Sequence, residues 1–385
     1  MAGKIRMGMI GGGKDAFIGA VHRIAANMDG QIELCCGALS SDPEKARESG
    51  RSLFLPDDRN YGSFREMIEK ESLLPEEVRM HFVSIVTPNF AHFAPAMLAL
   101  EHGFHVVIDK PITLTLAESK QLQEKVKETG LLLCLTHTYS GYPMVKQARQ
   151  MVKDGAFGKI RKVMVEYPQG WLSLPVEREG NKQSEWRTDP AKSGISGCMG
   201  DIGTHAAQLA EYISGLEIVK ICADLNIVVE GRALDDDGNI LLKFNNGANG
   251  ILVASQIAAG EENALKIKIY GEKGGLEWQQ EEPNTLKVKW LDAPAQVYRS
   301  GQGYLSAIAQ YNSRTPSGHP VGYLEAFANI YRNFALTLMA KNEGEIPTAE
   351  MLDFPGVEEG VRGMAFIENV VASGLSDQKW FDFKL

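Results

Sequence analysis

The stretch Met9-Ile10-Gly11-Gly12-Gly13-Lys14-Asp15-Ala16-Phe17-Ile18-Gly19-Ala20-Val21-His22 decides how the first third of this chain folds. An apolar run from Ile5 to Ile10 enters three glycines and leaves as an apolar segment of helical period. Strand, glycine turn and helix, in that order, make a dinucleotide-binding turn. Glycine closes the turn, admits a pyrophosphate where a Cβ would intrude, and lets helix and strand pack closely. The helix N-terminus then offers unpaired N–H groups to the phosphates. Two registers of the G-x-G-x-x-G/A fingerprint fit. Gly11-x-Gly13-x-x-Ala16 matches its permissive form, and with three inserted residues Gly19 becomes the third glycine; Gly19 is the preferred assignment.

The second strand is expected over Ile32 to Leu39, followed by Ser40-Ser41-Asp42-Pro43. Just past its end a carboxylate would accept from a ribose 2′-OH and repel a 2′-phosphate, selecting NAD over NADP. Ser40 holds that position and does neither strongly. Ser41 is not an arginine, and Lys45 and Arg47 lie one helical turn on, so the expected cofactor is NAD or NADP, with the balance toward NAD.

At 385 residues and 44% hydrophobic, the chain is too long for one small core, and two domains are expected. A net charge of -9 argues against a nucleic-acid partner, which needs a basic surface. Five cysteines, Cys35 and Cys36 among them adjacent, form neither a disulfide framework nor paired C-x-x-C knuckles, so buried thiols in a reducing compartment are expected. H-E-x-x-H is absent too, and no metal is expected. The first strand begins within five residues of the N-terminus and no apolar run reaches the ~18 residues of a membrane span, which predicts a cytoplasmic protein.

Up to about Thr138, apolar strands alternate with amphipathic helices, the pattern of a parallel sheet covered on both faces. Strands are expected at Ile5 to Ile10, Ile32 to Leu39, His81 to Val86, His105 to Ile108 and Leu131 to Thr136. From Tyr139 the period changes to two, as in Leu265 to Tyr270 and Leu286 to Trp290, which predicts antiparallel strands. Asn245-Asn246-Gly247 reads as a hairpin turn. A long helix near 322–341, with Leu324, Phe327, Tyr331, Phe334 and Leu338 in one stripe, is assigned to this second domain, and 281–317 is the most loop-like stretch. The expected domains are thus 1–138 and 139–385.

Three segments carry chemistry. Thr87-Pro88-Asn89-Phe90-Ala91-His92 and Asp109-Lys110-Pro111 both finish parallel strands, and in open α/β sheets ligands lie beyond the carboxyl ends of strands. The third, Gly200-Asp201-Ile202-Gly203-Thr204-His205, leads into a helix. If the helix begins at Asp201, Asp201 and His205 share a face of its first turn, where the dipole favours an ionised carboxylate and a neutral imidazole.

Together these segments resemble the glucose-fructose oxidoreductase and inositol dehydrogenase family, Gfo/Idh/MocA. The resemblance rests on the glycine turn with G-x-x-H at Gly19 to His22, on T-P-N-x-x-H at Thr87 to His92, on the E-K-P motif as Asp109-Lys110-Pro111, and on G-D-x-G-x-H at Gly200 to His205. Departures are the inserted residues in the turn, Asp109 for the usual Glu, and Ser40 for the usual acid. The resemblance implies an α/β protein: an N-terminal Rossmann domain with a doubly wound parallel sheet, and a C-terminal α/β domain with an open, mostly antiparallel sheet. It also implies a catalytic Lys110, Asp201 and His205, with His205 as base. Gly11, Gly13, Gly19, Ser40, Thr87, Pro88, Asn89, His92 and Asp109 would bind the cofactor.

The implied substrates are sugars, glycosides (including oxidation at C3) and inositols, small carbohydrate or cyclitol partners of a homodimer or homotetramer. His137, Tyr139, Trp186, Arg187 and His319, with Trp171 and Asp189, are the candidate substrate contacts. Two other readings stay open here: a glycosidase using NAD as a transient hydride acceptor, and a non-catalytic regulatory protein that keeps the fold.

Overall fold

The computed structural model describes residues 3–14, 16–180 and 182–385. Its first elements are β1 (Ile5–Gly11), α1 (Phe17–Asn27), β2 (Ile32–Ala38), α2 (Pro43–Ser52), α3 (Phe64–Ser72), β3 (Phe82–Val86), α4 (Phe93–Glu101), β4 (His105–Ile108), α5 (Leu116–Thr129) and β5 (Leu133–Leu135). There follow α6 (Pro143–Lys153), β6 (Ile160–Pro168), α7 (Lys182–Arg187), α8 (Pro190–Ser193), α9 (Thr204–Ser214), β7 (Ile218–Asn226), β8 (Asp237–Phe244) and β9 (Asn249–Ser255). The chain continues through β10 (Lys266–Gly271), β11 (Gly274–Gln279), β12 (Thr285–Trp290), β13 (Gln296–Arg299), α10 (Ala307–Tyr311), α11 (Tyr323–Asn342), α12 (Val357–Gly374) and β14 (Phe381–Asp382). Among the described residues, no helix is long and apolar enough to cross a membrane.

Two compact units result, one from residues up to Thr138 with Leu324–Val361, the other from Tyr139–Tyr323 with Arg362–Leu385. In the first, five parallel strands run in the order β2-β1-β3-β4-β5. Every residue of β3 is buried, as expected for a strand with both faces covered. Strand order reverses at β1, so its carboxyl end and that of β3 border the crevice where doubly wound sheets take ligands.

The long helix corrects the expected domain assignment. α11 belongs to the first unit, because the aromatic stripe finds partners there: Phe334 meets Phe82 at 5.1 Å between ring centroids, and Phe327 meets His22 at 4.7 Å. Burying such rings stabilises by roughly 1.5–3 kcal/mol each, which outweighs proximity along the chain.

In the second unit nine strands form one sheet, β13-β12-β11-β10-β6-β9-β8-β7-β14, antiparallel except for the β6–β9 pair. β10 shows why: Ile267 and Ile269 are fully buried while Lys266 and Lys268 alternate outward. The hairpin at Asn245-Asn246-Gly247 joins β8 to β9, with Gly247 at φ 88° and Asn246 Oδ1 accepting from the Ala248 N–H. The loop-like stretch 281–317 instead contains β12, β13 and α10.

Candidate active site

In the first unit, Gly11 and Gly12 adopt φ of 79° and 71°, a left-handed backbone that the turn requires and glycine supplies. A Cβ on Gly19 would lie 2.3 Å from Gly12 Cα, so Gly19 is the glycine that lets helix and strand approach. Gly13 is closely packed as well. A Cβ there would meet Leu39 O at 2.6 Å and Ser49 Oγ at 2.7 Å, so glycine also lets the turn pack against the end of β2 and α2. Among the described residues no side chain caps the α1 N-terminus, whereas Asp42, Ser63 and Thr115 cap α2, α3 and α5. The first-turn N–H groups of α1 thus suit an anion from outside the chain.

Past β2, Ser40 Oγ accepts from the Asp42 N–H at 3.2 Å, and Asp42 Oδ1 accepts from Glu44 N and Lys45 N. Asp42, the first carboxylate in sequence after β2, is therefore spent on a cap.

After β3, Thr87 Oγ1 donates to Ala91 O, Pro88 precedes a short turn of helix, and Asn89 is buried. His92 is buried too, with Nδ1 2.7 Å from Pro111 O and Nε2 2.8 Å from Thr87 O. This corrects its expected role: with both ring nitrogens on backbone carbonyls, it clamps the segments that follow β3 and β4. Asp109 Oδ1 accepts from the Lys110 N–H at 2.9 Å and from Thr136 Oγ1 at 2.8 Å, and the Lys110–Pro111 bond is cis. His137 is buried, and burial together with the Lys110 charge lowers its pKa to about 3, so it is a neutral imidazole.

The histidine of the G-x-x-H motif joins a buried group that the motif does not foretell. His22 Nδ1 lies 2.7 Å from Tyr331 Oη, which in turn lies 2.7 Å from Ser84 Oγ. His22 Nε2 sits 4.0 Å from Asp109 Oδ1 and has no hydrogen-bond partner among the described residues. Burial holds the His22 pKa down at about 4 against the opposing pull of Asp109. Tyr331 was legible only as part of an apolar stripe, and nothing local links it to a histidine 309 residues away.

In the second unit, Asp201 lies in a π-helical turn, Met199–Gly203, that runs directly into α9. The expected helix start at Asp201 is thereby corrected. The helical path begins earlier because Asp235, buried, accepts from Gly197 N and Met199 N and does the capping. Asp201 Oδ2 accepts from Gln256 Nε2 at 2.8 Å and pairs with Arg187 Nε at 3.3 Å. Arg187 also lies over the ring of Trp186 at 4.3 Å and that of Trp171 at 5.8 Å.

His205 is buried in the first turn of α9, its ring 4.9 Å from that of Tyr139 and 6.5 Å from that of Tyr167. The two tyrosine hydroxyls meet in a short hydrogen bond, and Asn263 binds both: its Oδ1 accepts from Tyr167 at 2.6 Å, and its Nδ2 donates to Tyr139 at 3.3 Å. Burial raises the pKa of both tyrosines, so neither serves as a base near neutral pH. Gln256 and Asn263 carried no signal in the sequence, being single amides in unremarkable stretches.

Two candidates fall away from this cluster. Asp189 caps α8 through the Ala191 N–H and pairs with Lys192. His319 is exposed in a turn, its Nδ1 3.2 Å from Pro316 O.

Known proteins share this fold and much of this sequence. A family model described as an oxidoreductase family with an NAD-binding Rossmann fold matches residues 5–137, and the GFO/IDH/MocA C-terminal domain matches 145–277. The uncharacterized oxidoreductase YfiI of Bacillus subtilis is 32% identical over 99% of this chain and 97% of its own. Levoglucosan dehydrogenase of Pseudarthrobacter phenanthrenivorans is 27% identical over 76% of this chain and 77% of its own. Among solved structures, an inositol dehydrogenase homolog from Azotobacter vinelandii, complexed with NADH and myo-inositol, superposes with a TM-score of 0.92 at 35% identity, covering 100% of this chain and 98% of that one.

Proposed function

This chain belongs to the GFO/IDH/MocA oxidoreductase family, and we propose that it is an NAD-dependent dehydrogenase of a secondary hydroxyl on a polyhydroxylated ring, an inositol or a sugar. The observation that carries the proposal is that His205 and Asp201 lie four residues apart on one helical path, with the Asp201 carboxylate already held by Arg187 and Gln256. Gly11, Gly12 and the uncapped start of α1 would hold the pyrophosphate, and Ser40 would lie at the adenosine ribose. When bound, the nicotinamide supplies the hydride acceptor.

Oxidation of a secondary alcohol also releases a proton from oxygen, and a neutral imidazole is the group suited to take it near neutral pH. His205 has that role. Asp201, held by Arg187 and Gln256, orients the imidazole or a neighbouring hydroxyl. Lys110 offers an ammonium of the kind that stabilises negative charge developing on an oxygen as its proton leaves. Asp109 positions it by binding its backbone N–H. Tyr139, Trp186 and Arg187 supply the mixed aromatic and polar surface that a hydroxylated ring needs.

The test is a panel of inositols and neutral sugars, levoglucosan included, offered with NAD and NADP separately while reduced cofactor is followed by absorbance. Turnover of at least one cyclitol or sugar with NAD is expected. Protein that binds NADH yet reduces neither cofactor with any member would overturn the proposal.

A further inference from the structure

Cys35 and Cys36 are neighbours on β2, and neighbours on a regular strand point to opposite faces. Here the β1–β2 register steps from Met7↔Leu34 to Gly8↔Cys36, leaving Cys35 as the extra residue of a bulge. The bulge turns both sulfurs to one side: Cys35 Sγ and Cys36 Sγ stand 3.9 Å apart. A third sulfur completes the group, with Met80 Sδ 3.8 Å from Cys36 Sγ. Gly8 makes room for them, since a Cβ there would lie 2.4 Å from Met80 Sδ and 3.0 Å from Cys36 Sγ.

The spacing has a chemical meaning. Metal–sulfur bonds of about 2.3 Å put sulfurs about 3.8 Å apart in a tetrahedral set and about 4.0 Å apart in a trigonal one. The Glu71 carboxylate is also near both thiols, but it is fully engaged: it accepts from two nitrogens of Arg59, from the Tyr61 hydroxyl and from the Met80 N–H. The available donors are therefore all sulfur. Arg59 neutralises Glu71 and places Nη2 3.3 Å from Cys35 Sγ, a positive charge beside the sulfur cluster. Cys36 and Met80 are buried and Cys35 is half-buried, which leaves an approach from the Cys35 side.

We propose that Cys35, Cys36 and Met80 form a binding site for a soft, thiophilic monovalent cation of the copper(I) class, in the dinucleotide-binding sheet and independent of the proposed dehydrogenase chemistry. Two thiolates and a thioether select such an ion over magnesium, calcium or manganese, which prefer oxygen. Binding displaces the thiol protons and ties β2 to the segment that leads into β3, so occupancy stabilises the first unit.

The probe is silver(I), titrated into the full chain carrying Cys222→Ser so that the other half-buried thiol is silent. One equivalent is expected to bind tightly, with a silver–thiolate absorption band and a higher midpoint of thermal unfolding. Cys36→Ser should abolish both effects. Met80→Leu preserves apolar volume and so guards against simple misfolding; it should keep the fold by circular dichroism and weaken binding at least about tenfold. Unaltered silver affinity in Met80→Leu, retention of the tight equivalent in Cys36→Ser, or tighter binding of zinc than of silver would each overturn the proposal.

Discussion

The glycine turn and the Asp201–His205 cluster prepare for binding by opposite means. The turn uses backbone: positive φ at Gly11 and Gly12, a glycine-to-glycine contact at Gly19, and an uncapped helix start, all within nine consecutive positions from Gly11 to Gly19. The cluster uses side chains gathered from Tyr139, Tyr167, Arg187, Asp201, His205, Gln256 and Asn263, on separate elements of a nine-stranded sheet and its helices. A site built from local backbone announces itself in sequence, whereas one built from distant side chains shows only the members that fall into a motif.

That contrast can be broken first at Gly19. Gly19→Ala puts a Cβ 2.3 Å from Gly12 Cα, although alanine is the better helix former. The expected outcome is a loss of NADH affinity of at least about a hundredfold by calorimetry, the order of effect produced by misplacing backbone donors. Gly303→Ala in the second unit, where nothing lies within 4 Å, is the matched control and should bind normally. Equal affinity in the two variants would mean that the turn tolerates spreading.

The same distinction governs what was legible. The parallel and antiparallel halves followed from alternation of period, and the glycine turn, Lys110, Asp201 and His205 followed from short motifs. The placement of α11 did not, because Phe327, Tyr331 and Phe334 are apolar in either unit and only their ring contacts with His22 and Phe82 decide between them. Nor did the capping of the π-helical turn by Asp235, which lies 36 residues beyond Met199. Gly13 and His92 were assigned to the ligand on motif position. Their packing against Leu39 O and clamping of Pro111 O and Thr87 O depend on neighbours distant in sequence, which a motif does not show.

Acid sharpens the comparison next. His22 and His137 lie in the first unit, fully buried, with pKa values lowered by burial to about 4 and about 3. The unfolded chain takes up protons at these residues near pH 6.5 while the folded chain does not, so stability is complete above that pH and falls as pH drops toward the folded values. The expected loss is on the order of 3 kcal/mol per residue by pH 4. All five tryptophans, Trp171, Trp186, Trp278, Trp290 and Trp380, lie in the second unit and report on it alone. Between pH 7 and 4.5 the urea midpoint by circular dichroism should therefore fall further than the midpoint by tryptophan fluorescence. Coincident midpoints at both pH values would contradict the assignment of buried neutral histidines to the first unit.

The smallest effect is expected at Ser40. Ser40→Asp adds a carboxylate beyond β2, where Asp42 is committed to its cap, and should raise the preference for NAD over NADP by about 1–2 kcal/mol, a charge-assisted hydrogen bond's worth, measured as the ratio of the two affinities. An unchanged ratio would place the ribose elsewhere.

The central claim is that His205 takes the proton while the backbone turn holds the cofactor. The most direct measurement compares the pH dependence of turnover in the wild type and His205→Ala, using NAD and the best substrate of the panel, alongside NADH affinity. The account predicts a fall in kcat of roughly 10² to 10⁴ fold, disappearance of the limb requiring a deprotonated group near neutrality, and NADH binding that is little changed. Turnover within about threefold of wild type, with the limb intact, would contradict it and move the base to another residue.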